Sequence, residues 1–194
     1  MVQIDGSSGD GRAARSARTR NDLLQATERI IRRDGVGSLT LERVADEAGV
    51  SKGGLLYHFS SKQELVRTLL SHTMAQTSDR LEELAAPGGS GAFATAYLDY
   101  VRSGEHSQNG VAAGIFASAA LDEGELQPAQ SQFDKWQNRL RNDDGLSPAT
   151  ALLARIVGDG LWLIDLFGLA PPSDQDRALV LDLVQRLVDE DDAT

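Results

Sequence analysis

Between Thr40 and Lys62 the chain gathers two hydroxyls, two ammonium groups, a phenol and an imidazole: Thr40, Ser51, Lys52, Tyr57, His58 and Lys62. Gly53 and Gly54 lie among them. The chemistry such a set can do is donation to an anion. Thr40, Tyr57, His58 and Lys62 can each donate to a phosphate oxygen, and Lys52 adds a point charge. The two glycines let a backbone come close to a partner. Catalysis has little to work with. The three histidines, His58, His72 and His106, show no His-x-x-x-His spacing. There is no Gly-x-Ser-x-Gly, no P-loop and no dinucleotide fingerprint, so the expectation is no enzyme, no metal and no cofactor.

The elements that must hold these groups can be read from local signals. Leu23, Leu24, Thr27, Ile30 and Ile31 follow the spacing of one buried helical face. Thr19 and Asp22 read as its capping pair, and "RRDGVG" ends it with a glycine suited to the left-handed conformation. Thr40 caps a short helix whose inner face is Leu41, Val44, Ala45 and Ala48, and Gly49 stops it. Val50 enters the core, and Ser51 caps the next helix. Ser61 with Glu64 forms a capping box for a long fourth helix to about Leu84. Two short helices around a tight glycine turn, behind a longer one, make a helix-turn-helix. The second presents its N-terminal residues to base edges and phosphates, where unpaired backbone N–H groups also favour phosphate.

Five more helices are expected over about 91–104, 110–121, 126–142, 148–168 and 174–189, with Ser147-Pro148 and Ser173/Asp176 as further caps. No period-2 run long enough for a strand occurs. The fold class is therefore all-α. Residues 1–18, rich in Gly, Ser and Arg, read as a flexible basic arm. Residues 19–64 form the helix-turn-helix DNA-binding domain. Residues 65–194 form a helical domain for ligand and dimer contacts.

The stretch from Thr40 to Lys62, with "AGVSKG", "HF", Ser61-Lys62 and Glu64-Leu65 in register, resembles the TetR family of transcription regulators. The resemblance covers about a quarter of the chain. It implies a two-fold homodimer on a double-stranded, palindromic DNA operator, with the C-terminal domain taking a small-molecule effector. Two departures stand out. Leu56 occupies the place where the family usually has a tyrosine, so that residue's phosphate contact passes by expectation to Tyr57. Gly54 replaces the commoner threonine, serine or alanine.

The totals agree. The net charge of −10 is unevenly spread: residues 1–62 hold ten Lys/Arg and eight Asp/Glu, a balance of +2, and residues 63–194 hold nine and twenty-one, a balance of −12. The acidic remainder would stay off a duplex and favour a cationic ligand. There is no cysteine, which excludes disulfides and thiolate sites and is compatible with a cytoplasmic location. No signal peptide is visible. The segment Ala149 to Ala170 contains Arg155, Asp159 and Asp165, too costly for a membrane span.

Aromatic residues concentrate after residue 90, and most must be core. Met74, Tyr97, Tyr100, Phe116, Trp136 and Trp162 are the candidates for walls of an apolar ligand cavity. Arg155 and Asp159 are spaced for an ion pair. Leu153, Val157 and Leu161 on one helix and Leu183 and Leu187 on the last are the candidate dimer contacts, with Gly158 and Gly160 allowing close backbone approach. The leading function is a repressor released from its operator by ligand. The alternative is a helical protein-interaction module that has lost DNA binding.

Overall fold

A computed structural model of the chain describes residues 7–105, 111–119 and 124–192. Among them lie nine α-helices and no strand. The chain divides into two units between Leu69 and Leu70, inside a helix and beyond the expected boundary after residue 64. Leu65, Val66 and Leu69 are buried, which is why the first turns of that helix go with the first unit.

The first unit contains α1 (Ser7–Asp34), a 3-10 turn (Val36–Ser38), α2 (Leu41–Ala48), α3 (Lys52–His58) and the start of α4 (Lys62–Ala85). Its core is Leu23, Ile30, Leu39, Val44, Leu55, Phe59 and Leu65, with Val50 half-buried beside them. Thr27 is buried among these apolar groups and donates its hydroxyl to the Leu23 carbonyl at 2.8 Å. α1 corrects the expected irregular arm. Residues 7–18 continue the helix, and within them Ala and Arg over 12–18 are strong helix formers. Thr19 is consequently no cap. It sits inside the helix and donates to the Arg15 carbonyl at 3.1 Å. Gly35 has φ 77° and ψ 160°, a positive φ without the left-handed cap geometry, and leads into the 3-10 turn.

The second unit contains the rest of α4, then α5 (Ala92–Ser103), α6 (Val111–Ala119), α7 (Gln127–Asn142), α8 (Pro148–Phe167) and α9 (Asp174–Asp192). Both limits expected for the sixth helix, residues 110 and 121, lie outside the described residues. α8 packs on α5, α6, α7 and α9, and α5 packs on α7, α8 and α9, burying Phe93, Ala94, Tyr97, Leu98 and Val101. Ser147 caps α8 by accepting from the Thr150 N–H at 3.3 Å. Ser173 accepts from the Asp176 N–H at 3.1 Å. α5 takes its cap from far along the chain. The buried Asp144 carboxylate, in the α7–α8 connection, accepts from the Phe93 and Ala94 N–H groups at 2.9 and 2.8 Å. Burial raises this carboxyl above its ordinary value, opposed by those two bonds. Among the described residues, no helix is long and apolar enough to cross a membrane.

Candidate functional site

The first unit holds a helix-turn-helix. The Thr40 hydroxyl accepts from the Arg43 N–H at 3.2 Å and starts α2. Gly49 ends it at φ 68° and ψ 28°, a left-handed conformation that a side chain would strain. Ser51 then accepts from the Gly54 N–H at 3.1 Å and starts α3. Leu55 and Phe59 anchor α3 in the core. Ser51, Lys52 and Gly53 are left exposed at its N-terminus, with Gly54 half-buried behind them. Leu56 and Tyr57 both point outward, 42% and 82% exposed. The Tyr57 ring stands edge-on to His58 at 5.1 Å. Lys62 is half-buried at the start of α4.

Three local arrangements escape sequence reasoning, two because their partners lie 10 or more residues away and the third because Glu64 pairs one residue upstream of its expected partner. Lys52 donates to Glu42 of α2 at 2.5 Å, and this bond holds the Glu42 carboxyl below its ordinary value. Arg20 donates to the His58 carbonyl at 3.0 Å and to the Thr68 hydroxyl at 3.3 Å. Its guanidinium also lies over the Phe59 ring at 4.5 Å, so one side chain fixes the end of α3 against α1 and α4. Finally, Ser61 accepts from the Glu64 N–H at 3.1 Å as a cap. The Glu64 carboxylate, however, takes the hydroxyl and N–H of Ser60, at 2.7 and 2.8 Å, which hold it below its ordinary value.

The second unit holds a cavity between helices. Met74 and Thr77 come from α4, Tyr97, Tyr100 and Val101 from α5, Phe133 and Trp136 from α7, and Trp162 from α8. Its enclosed space is ≈ 30 Å³, and ≈ 340 Å³ with the open mouth included. Five of the six candidate residues line it. Phe116 does not, but its ring packs on Trp162 at 5.1 Å. Thr77, Val101 and Phe133 are additions, and helical spacing from Met74, Tyr97 and Trp136 points to all three.

The polar groups behind the cavity form a chain. The buried Tyr97 hydroxyl donates to Asp159, and Arg155 donates to the other Asp159 oxygen at 3.1 Å. Arg155 also reaches Gln137 and lies 6.0 Å from the Phe133 ring centroid. Burial first, and Asp159 second, raise the Tyr97 phenol well above its ordinary value. Asp165 pairs with Arg177. Both aspartates of α8 thus have cationic partners within the chain.

α8 and α9 also carry exposed apolar side chains: Leu152, Leu153 and Ile156 on α8, and Leu179, Val180 and Leu183 on α9. Of the candidate dimer residues, Leu153 and Leu183 are exposed, and Val157 and Leu187 are half-buried. Leu161 is 8% exposed and belongs to the core of its own bundle. Gly158 is likewise used internally, since a Cβ there would lie 2.5 Å from the Tyr97 ring. A Cβ on Gly160 would meet nothing within 4 Å.

Comparison with known proteins bears on both units. Residues 23–69 match the model for bacterial regulatory proteins of the tetR family. Among curated relatives, the HTH-type transcriptional regulator TtgR of Pseudomonas putida is 40% identical over 63 residues, 32% of this chain and 30% of that one. The uncharacterised HTH-type regulator YfiR of Bacillus subtilis is 28% identical over 43% of this chain and 40% of its own. The match therefore spans about a third of the length of these relatives. Among solved structures, the regulator SCO7518 of Streptomyces coelicolor superposes with a TM-score of 0.70 at 23% identity, covering 88% of this chain and 98% of that one. The multidrug binding protein EbrR, solved with malachite green, gives a TM-score of 0.63 at 22% identity over 87% and 96% of the two chains. Both likenesses show the fold. Residues 91–189, about half the chain, match the C-terminal domain model described as tetracyclin repressor-like, and the chain belongs to the TetR family of bacterial regulatory proteins.

Proposed function

We propose that this protein is a sequence-specific, DNA-binding transcription regulator. It acts as a repressor, released from a palindromic operator when a small molecule enters the cavity of its second unit. The observation that carries this reading is α3. Its N-terminal turn is exposed, capped by Ser51, without side chains at Gly53 and Gly54, and held from behind by Leu55 and Phe59. Such an element can enter a major groove with its backbone close to phosphate. Lys52 serves base edges or phosphate from the first turn. Tyr57 takes the phosphate contact that Leu56 lacks the chemistry to make, and Thr40, His58 and Lys62 complete the grip. The apolar faces of α8 and α9 meet those of a second copy as a four-helix interface, setting two reading heads on half-sites about 34–36 Å apart, or a multiple of that.

The test is binding to the DNA upstream of its own gene. Specific retardation is expected, with affinity falling by about two orders of magnitude or more from about 50 to about 200 mM salt, as neutralised phosphates release counterions. Lys62→Ala is expected to weaken operator and unrelated DNA alike. Lys52→Ala is expected to alter sequence preference as well. Absence of retardation at low salt would overturn the reading.

A further inference from the structure

The chain has two tryptophans, Trp136 and Trp162, and both line the cavity. Trp136 is 5% exposed. It is held edge-on by Tyr97 at 6.0 Å and by Phe133 at 5.1 Å between ring centroids. Its indole N–H is sealed from solvent and meets no acceptor among the described residues. An indole nitrogen can only donate, and a buried donor left unpaired is destabilising. The other polar groups of the wall are occupied. Tyr97 donates to Asp159, and the hydroxyls of Thr77 and Tyr100 lie 3.5 Å apart. The carboxylate bonded to the wall, Asp159, is already neutralised by Arg155. That same Arg155 brings positive charge to the back of the Phe133 ring. What the wall holds for a ligand is therefore aromatic rings and, sealed beneath their surface, one unpartnered donor, not an anion.

We infer that the cavity takes a flat, uncharged aromatic molecule carrying a carbonyl-type acceptor, and that the acceptor sits on the Trp136 indole N–H. This rests on the cavity being the effector site, and it replaces the cationic ligand that the acidic charge of residues 63–194 suggests. A ligand with the acceptor satisfies a donor that the ligand-free state leaves unpaired. The rings supply shape and area, and the indole supplies selection.

Two probes of nearly the same shape test this: 9-fluorenone, with a carbonyl, and fluorene, with a methylene in its place. The full chain is titrated with each, Kd being read by equilibrium dialysis and occupancy of the cavity by quenching of tryptophan emission. Because both tryptophans are wall residues, quenching locates the ligand. Fluorenone is expected to bind about tenfold tighter than fluorene. Trp136→Phe keeps a ring in the wall and removes the N–H. It is expected to bring the two affinities together while Trp162 emission is still quenched. Equal binding of the two probes by the unsubstituted chain, which needs no variant to fold, would overturn the inference. So would a preference that survives Trp136→Phe, tighter binding of the cation proflavine than of fluorenone, or no binding of either neutral probe. Release of operator DNA, followed in the same titrations, tests the effector reading separately. Fluorenone that binds with the expected preference but leaves the DNA bound supports the acceptor assignment and overturns the effector role.

Discussion

Gly53 has no reason to be glycine that lies inside the chain. Its φ is not positive, and a Cβ there would meet nothing within 4 Å. Gly54 is different, since its Cβ would come within 3.3 Å of the Ser51 hydroxyl that caps the helix. Gly53→Ala is therefore expected to stabilise the protein by up to about 1 kcal/mol, a rise of a few degrees in thermal midpoint. It is also expected to weaken operator binding by about tenfold or more, because the added methyl keeps the backbone from phosphate. Higher stability with undiminished DNA binding would remove Gly53 from the interface. At this scale the sequence is legible wherever a residue acts on its neighbours. Thr40, Gly49, Ser51 and Ser147 do what their positions announce, since a cap reaches only three residues along the chain. Arg20 over Phe59, or Lys52 on Glu42, leave no such local trace, because each pairing is made by the fold.

Among the elements, α8 shows how one helix serves two surfaces. Its glycines look alike in the sequence and differ in the structure. Gly158→Ala is expected to destabilise the protein by about 1–3 kcal/mol, because the Tyr97 ring cannot yield without breaking its bond to Asp159. Gly160→Ala, with open space around it, is expected to be neutral or mildly stabilising in the isolated protomer. Thermal denaturation of the two variants separates them. Helix positions along the chain are legible because apolar spacing and breaks repeat over many residues. The start of α1 is not, because residues 11–18 are exposed or half-buried and give no apolar face to mark it. The cavity is legible as an aromatic concentration. Its walls are legible in part: helical spacing leads from Met74 and Tyr97 to Thr77 and Val101, whereas Phe116 stops one ring short because its packing is decided by Trp162.

For the whole molecule, the exposed leucines of α8 and α9 form the apolar surface on which the proposed dimer rests. A two-fold axis that pairs each of these faces with its copy would cover them. Leu183 is 50% exposed, so Leu183→Glu is expected to leave the protomer folded and shift it from dimer to monomer in sedimentation velocity. Tight operator binding is expected to be lost with the dimer, since a single head holds only one half-site. A dimer that persists in this variant would place the interface elsewhere. The division of charge fits the same arrangement: the acid sits in residues 63–194, and the mildly basic balance belongs to residues 1–62.

The cap that Asp144 provides to α5 also sets an order of events as the chain is made. The Phe93 N–H and its acceptor are 51 positions apart, so α5 leaves the ribosome well before the carboxylate that completes its first turn. The first unit, finished by Leu69, has everything it needs by then. Domains generally fold as units, N-terminal first, during synthesis. Contacts of long sequence separation come late because the loop between them must close first. A nascent chain of this protein is therefore expected to complete its first unit early and to leave α5 uncapped until Asp144 has emerged.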